Sequence, residues 1–406
     1  MRPKVVLAFS GGLDTTFCAV RLRERGFDVH AVTVQTGGFS SDELRAIEQR
    51  AAQAGAADYR LIEARGELFD DVLRPLLFAN ALRGGVYPLC VSAERLVQAR
   101  AVARQAIAIQ ADALAHGSTG AGNDQVRFDA AFRVFAPRLK VLAPIREQGL
   151  SREEATRWLE KQGIHIPPRT TAYSINRGLW GTTIGGGETH LSDGVLPESA
   201  WVLTAPPSER PAQPETVTLE FERGVPVAID GRRPGAVALI EELNERGGRH
   251  GVGRGMHVGD TILGIKGRVA FEAPAALTLI AAHRELEKLV LSRQQLFWKQ
   301  TLGDLYGSFV HEARYFDPLL RDIEAFLASS QRVVSGRVSV QWHAGQITVL
   351  GAVSPFSLMN RELARYGEES TLWNGGEAAA FSKLYGLQDW LLHRVAGEGA
   401  HHATVG

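Results

Sequence analysis

The chain has 406 residues, of which 45 are Lys or Arg and 45 are Asp or Glu, so its formal net charge is zero with the histidines neutral. That balance excludes a general affinity for polyanions; no basic stripe points to nucleic acid, and no run approaches the ~20 apolar residues of a membrane span. Cys18 and Cys90 are too few for a disulfide framework and form no Cys-x-x-Cys pair, so both are expected as buried small side chains. A strand begins at once and no signal-peptide pattern is present, which makes the cytoplasm the expected compartment.

The apolar run Val5-Val6-Leu7-Ala8-Phe9 reads as a buried strand that exits through Ser10-Gly11-Gly12. Phe17, Val20 and Leu22 then recur at helical spacing up to a stop at Gly26. Strand, glycine turn and helix is the geometry that aims free backbone N–H groups at an anion, and glycine lets an oxyanion come close. Ser10 and Thr15 add hydroxyl donors, and Asp14 is placed to hold a metal that bridges phosphates. The spacing is neither Gly-x-x-x-x-Gly-Lys-Ser/Thr nor Gly-x-Gly-x-x-Gly, which excludes a Walker loop and disfavours a dinucleotide site. A plain glycine turn is the alternative, and the position at a first strand–helix junction weighs against it.

Residues 29–34 read as a second strand. Ser40 and Glu43 form a capping box for the next helix, whose core face is Leu44, Ile47 and Ala51. Further strands are expected at 59–62, 111–115 and 141–145, with a helix over 94–109, and Ser151 with Glu154 caps a helix running to Gly163. This alternation predicts an α/β fold: a nucleotide-binding domain over 1–165 with a parallel sheet, helices on both faces, and ligands at the carboxyl ends of the strands. Ile166-Pro167-Pro168 ends that regime. Residues 166–365 read as an α+β domain with strands at 216–222, 226–230, 261–271, 332–341 and 346–351, and helices near 235–246, 275–300 and 317–329. Residues 366–406 hold a terminal amphipathic helix over 373–395, with Ala378, Phe381, Leu384, Leu387, Leu391 and Leu392 at helical intervals. Its apolar face is expected to dock on a neighbouring subunit, and the tail from Glu398 is expected to be disordered.

A second constellation, His116-Gly117-Ser118-Thr119-Gly120-Ala121-Gly122-Asn123-Asp124-Gln125-Val126-Arg127-Phe128, follows the expected strand at 111–115. Three glycines permit close approach to a ligand, and Asn123, Asp124 and Arg127 offer an amide, a carboxylate and a guanidinium within about one helical turn. Arg127 is suited to clamp a carboxylate bidentately, and Thr119 and Asn123 to bind another through neutral donors. A solvated surface loop is the plain alternative. His30, His165, His283 and His311 are scattered and form no ligand spacing, so they are expected as surface or core residues.

The run Ser10-Gly11-Gly12-Leu13-Asp14-Thr15-Thr16 resembles the Ser-Gly-Gly-x-Asp-Ser loop of ATP pyrophosphatases. Together with the 117–128 motif it resembles argininosuccinate synthases. Tyr87-Pro88-Leu89, Ala143-Pro144-Ile145-Arg146, Leu179-Trp180-Gly181 and His250-Gly251-Val252-Gly253-Arg254 match as well, from the first strand to about Asn360. The resemblance implies a Rossmann-like, ATP-pyrophosphatase-type domain, a synthetase domain and a C-terminal oligomerisation helix in a homotetramer. It implies a ligase that joins citrulline to aspartate through a citrullyl-adenylate, releasing AMP and pyrophosphate in arginine biosynthesis. Ala8, Phe9, Ser10, Gly11, Gly12, Leu13, Asp14, Thr15, Thr16, Val34 and Gly117 would then hold ATP, with magnesium carried on its phosphates rather than by dedicated ligands. Thr119, Asn123 and Asp124 would receive aspartate, and Tyr87, Ser92, Asn123, Arg127, Ser174 and Thr183 citrulline. Asp14, Asp124 and Arg127 are the catalytic candidates. No membrane or nucleic-acid partner is implied.

Three positions depart from the family pattern. Ala121 stands where a lysine is usual, Gly259 where a glutamate meets the α-amino end of citrulline, and Phe271 where a tyrosine is usual. Either a nearby acid, Asp260 or Glu272, takes over the lost role, which is the favoured reading, or the acceptor is an N-acylated citrulline or another ureido compound. A sulfur-inserting tRNA enzyme shares the first loop but needs a reactive cysteine pair and a basic face. An ATP-binding regulatory module without turnover is the non-enzymatic alternative.

Overall fold

The structure is a computed structural model describing residues 2–149, 151–165, 173–368 and 370–403. The chain forms two units by its contacts, Met1–Phe356 and Ser357–Gly406.

In the first unit β1 (Lys4–Ala8), β2 (Asp28–Gln35), β3 (Asp58–Glu63), β4 (Ala113–Ala115) and β5 (Lys140–Leu142) form a parallel sheet of order β3-β2-β1-β4-β5. β1 is central, and its residues serve two cores by the period-2 alternation of a strand. Val5 and Leu7 join Phe17, Ile47 and Ile145 on one face, while Val6 joins Val97, Leu114 and Phe132 on the other. Both expected capping boxes are formed: Ser40 with Glu43 opens helix Ser41–Gln53, and Ser151 with Glu154 opens helix Arg152–Lys161. Cys18 and Cys90 are buried and unbridged.

The strand order reverses between β1 and β4. Loops leaving the carboxyl ends of those two strands turn away to opposite faces and leave a crevice between them. Both glycine-rich motifs fall there, residues 10–12 after β1 and residues 116–123 after β4.

Several boundaries differ from expectation. β5 stops at Leu142, and Ile145 lies in helix Pro144–Gln148, because Pro144 cannot donate to a ladder and suits a first helical position. The helical turns Arg65–Leu68, Phe69–Leu73 and Arg74–Phe78 have no counterpart among the expected elements; Pro75 sits in the first turn of the last of them.

Two antiparallel sheets complete this unit. One, of order β10-β11-β7-β6, joins β6 (Ser174–Gly178), β7 (Gly181–Gly185), β10 (Arg254–Asp260) and β11 (Lys266–Glu272). The other, of order β13-β12-β8-β9, joins β8 (Glu215–Glu222), β9 (Val225–Ile229), β12 (Gly336–His343) and β13 (Gln346–Val353). The single strand expected over 261–271 is instead the turn and return strand of a hairpin, with Asp260 opposite Lys266 and Gly264 at φ +84° in the reversal. The helix expected over 275–300 is two helices, Pro274–Val290 and Arg293–His311, separated where Ser292 and Gln295 form a capping box. That break lets the second helix carry His311 to the site. A buried network joins the base of these helices: Glu287 pairs with Lys299 at 2.8 Å and accepts from Asn80 and Gln331, whose amide oxygens both face the His283 ring.

In the second unit the helix expected over 373–395 is two helices, Gly375–Tyr385 and Leu387–Ala403, divided at Gly386. Phe381, Leu384, Tyr385, Trp390, Leu391, Leu392 and Val395 are all exposed. The backbone is helical as far as Ala403. Residues 404–406 and the Ile166-Pro167-Pro168 boundary lie outside the described residues.

Candidate functional site

The loop after β1 is drawn tight by its own side chains. Ser10 N–H donates to Thr15 Oγ1 at 3.3 Å, Gly12 N–H donates to Ser10 Oγ at 3.4 Å, and Thr16 Oγ1 donates to the Gly12 carbonyl at 2.8 Å. Gly11 has φ +68°, and a β-carbon there would meet Ile47 Cγ1 at 2.9 Å, so only glycine fits. Helix Leu13–Glu24 begins with no side-chain cap. Its first amides therefore need an acceptor from outside, as an anion would supply. Phe9, Leu13, Thr16 and Val34 turn buried side chains into the core, so these four offer a ligand their main chain only. Burial raises the Asp14 carboxyl above its usual range, and Arg152 at 3.6 Å pulls it back. Arg50 Nη1 donates to the Gly11 carbonyl at 2.5 Å.

The loop after β4 lies directly against this turn. A β-carbon on Gly117 would sit 3.1 Å from the Thr15 amide nitrogen and 3.2 Å from the Asp14 carbonyl carbon. His116 fixes the loop base: Ser118 N–H donates to Nδ1 at 3.2 Å, leaving Nε2–H to donate to Asp129 at 3.0 Å. Arg146 reaches Asp129 at 2.8 Å and Gln125 at 3.2 Å. Thr119 is exposed over Gly122, and Ala121 is exposed. Asn123 Oδ1 accepts from Ile262 N–H at 2.8 Å, which ties the β10–β11 turn to the loop and leaves the Asn123 amide donors for a ligand.

Asp124 is the centre of a charged row. It accepts from Arg95 Nε at 2.9 Å and from Arg127 Nη1 at 2.8 Å, and despite burial these two cations hold its carboxyl down at about 2. Arg95 also donates to Gln98 and Asn176, each at 3.0 Å. Arg127 is held further: Nε and Nη2 donate to the His311 carbonyl at 3.1 and 3.0 Å, and Nη2 lies 3.2 Å from His311 Nδ1. The free bidentate fork expected of Arg127 is thus engaged, and taking a ligand carboxylate there requires displacing His311. Burial and the neighbouring Arg127 lower His311 to about 3, so its ring is neutral.

The other expected acceptor residues approach from two sides. Tyr87 is buried, its ring 5.3 Å from Phe271 and stacked on His257 at 5.7 Å. Ser92 and Arg127 line one small cavity with Leu96, Val310 and Tyr315. On β6, β7 and β11, Ser174, Asn176, Thr183 and Phe271 share a face, since Asn176 pairs with Thr183 and Thr183 with Phe271. Asn176 links that face to Arg95.

Both acids expected to compensate for Gly259 are engaged elsewhere in this structure. Glu272 is fully buried and spent on Val202 N–H, Leu203 N–H, Thr204 N–H and Thr204 Oγ1. Asp260 pairs with Lys266 at 2.7 Å on the surface. The space beside Gly259 belongs to His257, whose Nε2 would lie 2.5 Å from a β-carbon there and has no hydrogen-bond partner.

Arg95, Asn176, His257 and His311 stand at the site without any sequence signal that marks them. Each is an isolated residue in an ordinary helix or strand, and only the tertiary fold joins it to the motifs. Among the described residues no group of three or more His, Cys, Asp or Glu is placed to hold a metal ion.

Two family models match the chain: the arginosuccinate synthase N-terminal HUP domain over residues 4–165 and the arginosuccinate synthase C-terminal domain over residues 173–391. The argininosuccinate synthase of Methanocaldococcus jannaschii is 39% identical over 387 residues, covering 95% of this chain and 97% of that protein. That of Synechococcus sp. (strain JA-2-3B'a(2-13)) is 41% identical over 387 residues, 95% of this chain and 96% of the relative. That of Xanthomonas campestris pv. campestris is 39% identical over 395 residues, 96% and 98% of the two.

Proposed function

Because this chain belongs to the argininosuccinate synthase family, we propose that it is an ATP-dependent ligase joining L-aspartate to the ureido carbon of L-citrulline. The observation that carries this reading is the contact of Gly117 with Asp14 and Thr15, which packs the two motif loops against each other at the crevice between β1 and β4. A nucleotide on the first loop and amino acids on the second would then lie side by side.

The ureido oxygen of citrulline is a poor leaving group. Its attack on the α-phosphorus of ATP forms a C–O–P link and releases pyrophosphate; the aspartate amine then attacks the activated carbon, and AMP departs with the former ureido oxygen. Such chemistry rests on alignment and on stabilising phosphoryl charge. The uncapped amides of Leu13–Glu24 and the hydroxyls of Ser10 and Thr15 suit the phosphates. Arg50, Arg146 and Arg152 put positive charge around the loops that Ala121 does not supply. Magnesium fits as a companion of the phosphates beside Asp14, where it would neutralise charge on the departing pyrophosphate. Thr119, Asn123 and Asp124 are the proposed aspartate contacts, and Tyr87, Ser92, Asn123, Arg127, Ser174 and Thr183 the citrulline contacts. A homotetramer assembled through the C-terminal helices in the cytoplasm completes the proposal.

Pyrophosphate release tests it. Sustained, multiple-turnover release that requires ATP, citrulline and aspartate together is expected; release without citrulline, or ATP binding with no turnover, contradicts it.

One observation favours a second reading of the acceptor. With Glu272 spent, Asp260 paired and His257 beside Gly259, neither of the two acids expected there is open to an α-ammonium group. A ureido acid with a capped amine needs no such carboxylate. A higher kcat/KM for N-acetylcitrulline than for citrulline supports this second reading, and the reverse order removes it.

A further inference from the structure

Glu94 opens helix Glu94–Ala108 and is completely buried, and the chemistry above makes no use of it. Its Oε2 accepts from Thr36 Oγ1 at 2.9 Å and from Gln98 Nε2 at 3.4 Å, whereas Oε1 has no hydrogen-bond partner. That second oxygen fills the room Gly178 leaves: a β-carbon on Gly178 would fall 1.4 Å from it. Three walls of the site meet here. Thr36 continues the end of β2, Gly178 ends β6, and Leu179 N–H closes the gap by donating to the Thr36 carbonyl at 2.9 Å.

Gln98 carries the connection into the site. Its Nε2 donates to Thr36 Oγ1 at 3.0 Å and to Glu94, which turns its Oε1 toward Arg95 Nη1 at 3.0 Å. A side-chain amide has one donor end and one acceptor end, so fixing the first fixes the second. Arg95 in turn holds Asp124 and Asn176, and Asp124 holds Arg127. We propose that Glu94 is a positioning residue that acts through Gln98 on the Arg95–Asp124–Arg127 row. This rests on the ligase reading of the site.

Burial disfavours the Glu94 carboxylate and pushes its pKa up to about 8, with Arg95 and Thr36 opposing the shift and Asp124 adding to it. The titratable groups facing it are Arg95 on its own helix, Asp124 from helix Asp124–Phe135, and Cys90 from the preceding segment. Gly178 and Thr36 face it from the hairpin and from the end of β2. Once ionised, Glu94 repels Asp124 and attracts Arg95, which loosens the row.

The test compares Glu94→Gln and Glu94→Ala with the wild type in pyrophosphate release with ATP, citrulline and aspartate, from about pH 6 to 9.5. Wild-type kcat/KM is expected to fall as the pH rises through about 8, while Glu94→Gln stays level there. Glu94→Ala is expected to lose about tenfold or more below about pH 8, the scale of one lost positioning hydrogen bond, and the gap to the wild type narrows above it. A Glu94→Gln profile identical to the wild type, or an unimpaired Glu94→Ala, overturns the proposal.

A second readout does not depend on turnover. With the folded pKa raised from 4.5 to about 8, the unfolded state releases a proton that the folded state keeps, so wild-type stability falls with rising pH between those values and is level above them. Melting temperatures of Glu94→Gln lack that slope. If the gap between variant and wild type does not widen across the window, the neutral form is overturned whatever reaction the protein catalyses. If the slope is present but the wild type shows no turnover, the ligase reading fails and the positioning role with it.

Discussion

Gly117 stands against Thr15 so closely that a β-carbon would come within 3.1 Å of the Thr15 amide nitrogen. The contact joins two loops that are about a hundred residues apart in the chain and lie side by side only because β1 and β4 are neighbours in the sheet.

Gly117→Val should therefore separate the loops. Overpacking of this kind costs about 1–3 kcal/mol, most of it local to the contact. The KM for ATP is expected to rise about tenfold or more while the melting temperature shifts by a few degrees. An unchanged KM for ATP would show that the contact does not shape the nucleotide site.

Glu94 and Gly178 should behave as one unit. Gly178→Ala places a β-carbon on the Glu94 carboxyl and is expected to destabilise the fold by about 1–3 kcal/mol. Adding Glu94→Ala removes the collision, so the double variant should be more stable than Gly178→Ala alone. Denaturant titration of the four proteins measures the coupling, and additive effects would refute it.

His311 is held neutral by burial and by Arg127, at about 3 against an ordinary 6.5. Between those values the unfolded state takes up a proton that the folded state refuses. The stability it contributes is present above pH 6.5 and is lost as pH falls toward 3. His311→Asn is expected to flatten that part of the stability profile. A titration of the His311 ring by NMR near 6.5 would contradict the geometry.

Much of the local structure around the first loop was legible in the sequence, because it is carried by local chemistry. The glycine turn, the capping boxes at Ser40 and Ser151 and the apolar run of β1 each declare themselves within a few residues. The proposed acceptor side was legible only in part. Tyr87 and Arg127 stand in motifs, but His257, His311, Arg95 and Asn176 reach the site from separate elements by tertiary packing. The fate of Glu272 shows the limit best. Its residue type invited a functional role, and only the fold shows that three backbone amides and a hydroxyl consume it.

The C-terminal unit exposes Phe381, Leu384, Leu387, Leu391 and Leu392, which sequence periodicity marks as one apolar set. Leu384→Glu with Leu391→Glu is expected to shift the protein from an oligomer to smaller species in sedimentation, with the melting of the Met1–Phe356 unit little changed. A monomeric wild type would contradict this.

The fate of the ureido oxygen tests the account most directly. With citrulline labelled at that atom by oxygen-18, turnover with ATP and aspartate is predicted to deliver the label to the phosphate of AMP. Unlabelled AMP formed alongside the ligated product would contradict adenylation of the acceptor and with it the proposed role of the two joined loops.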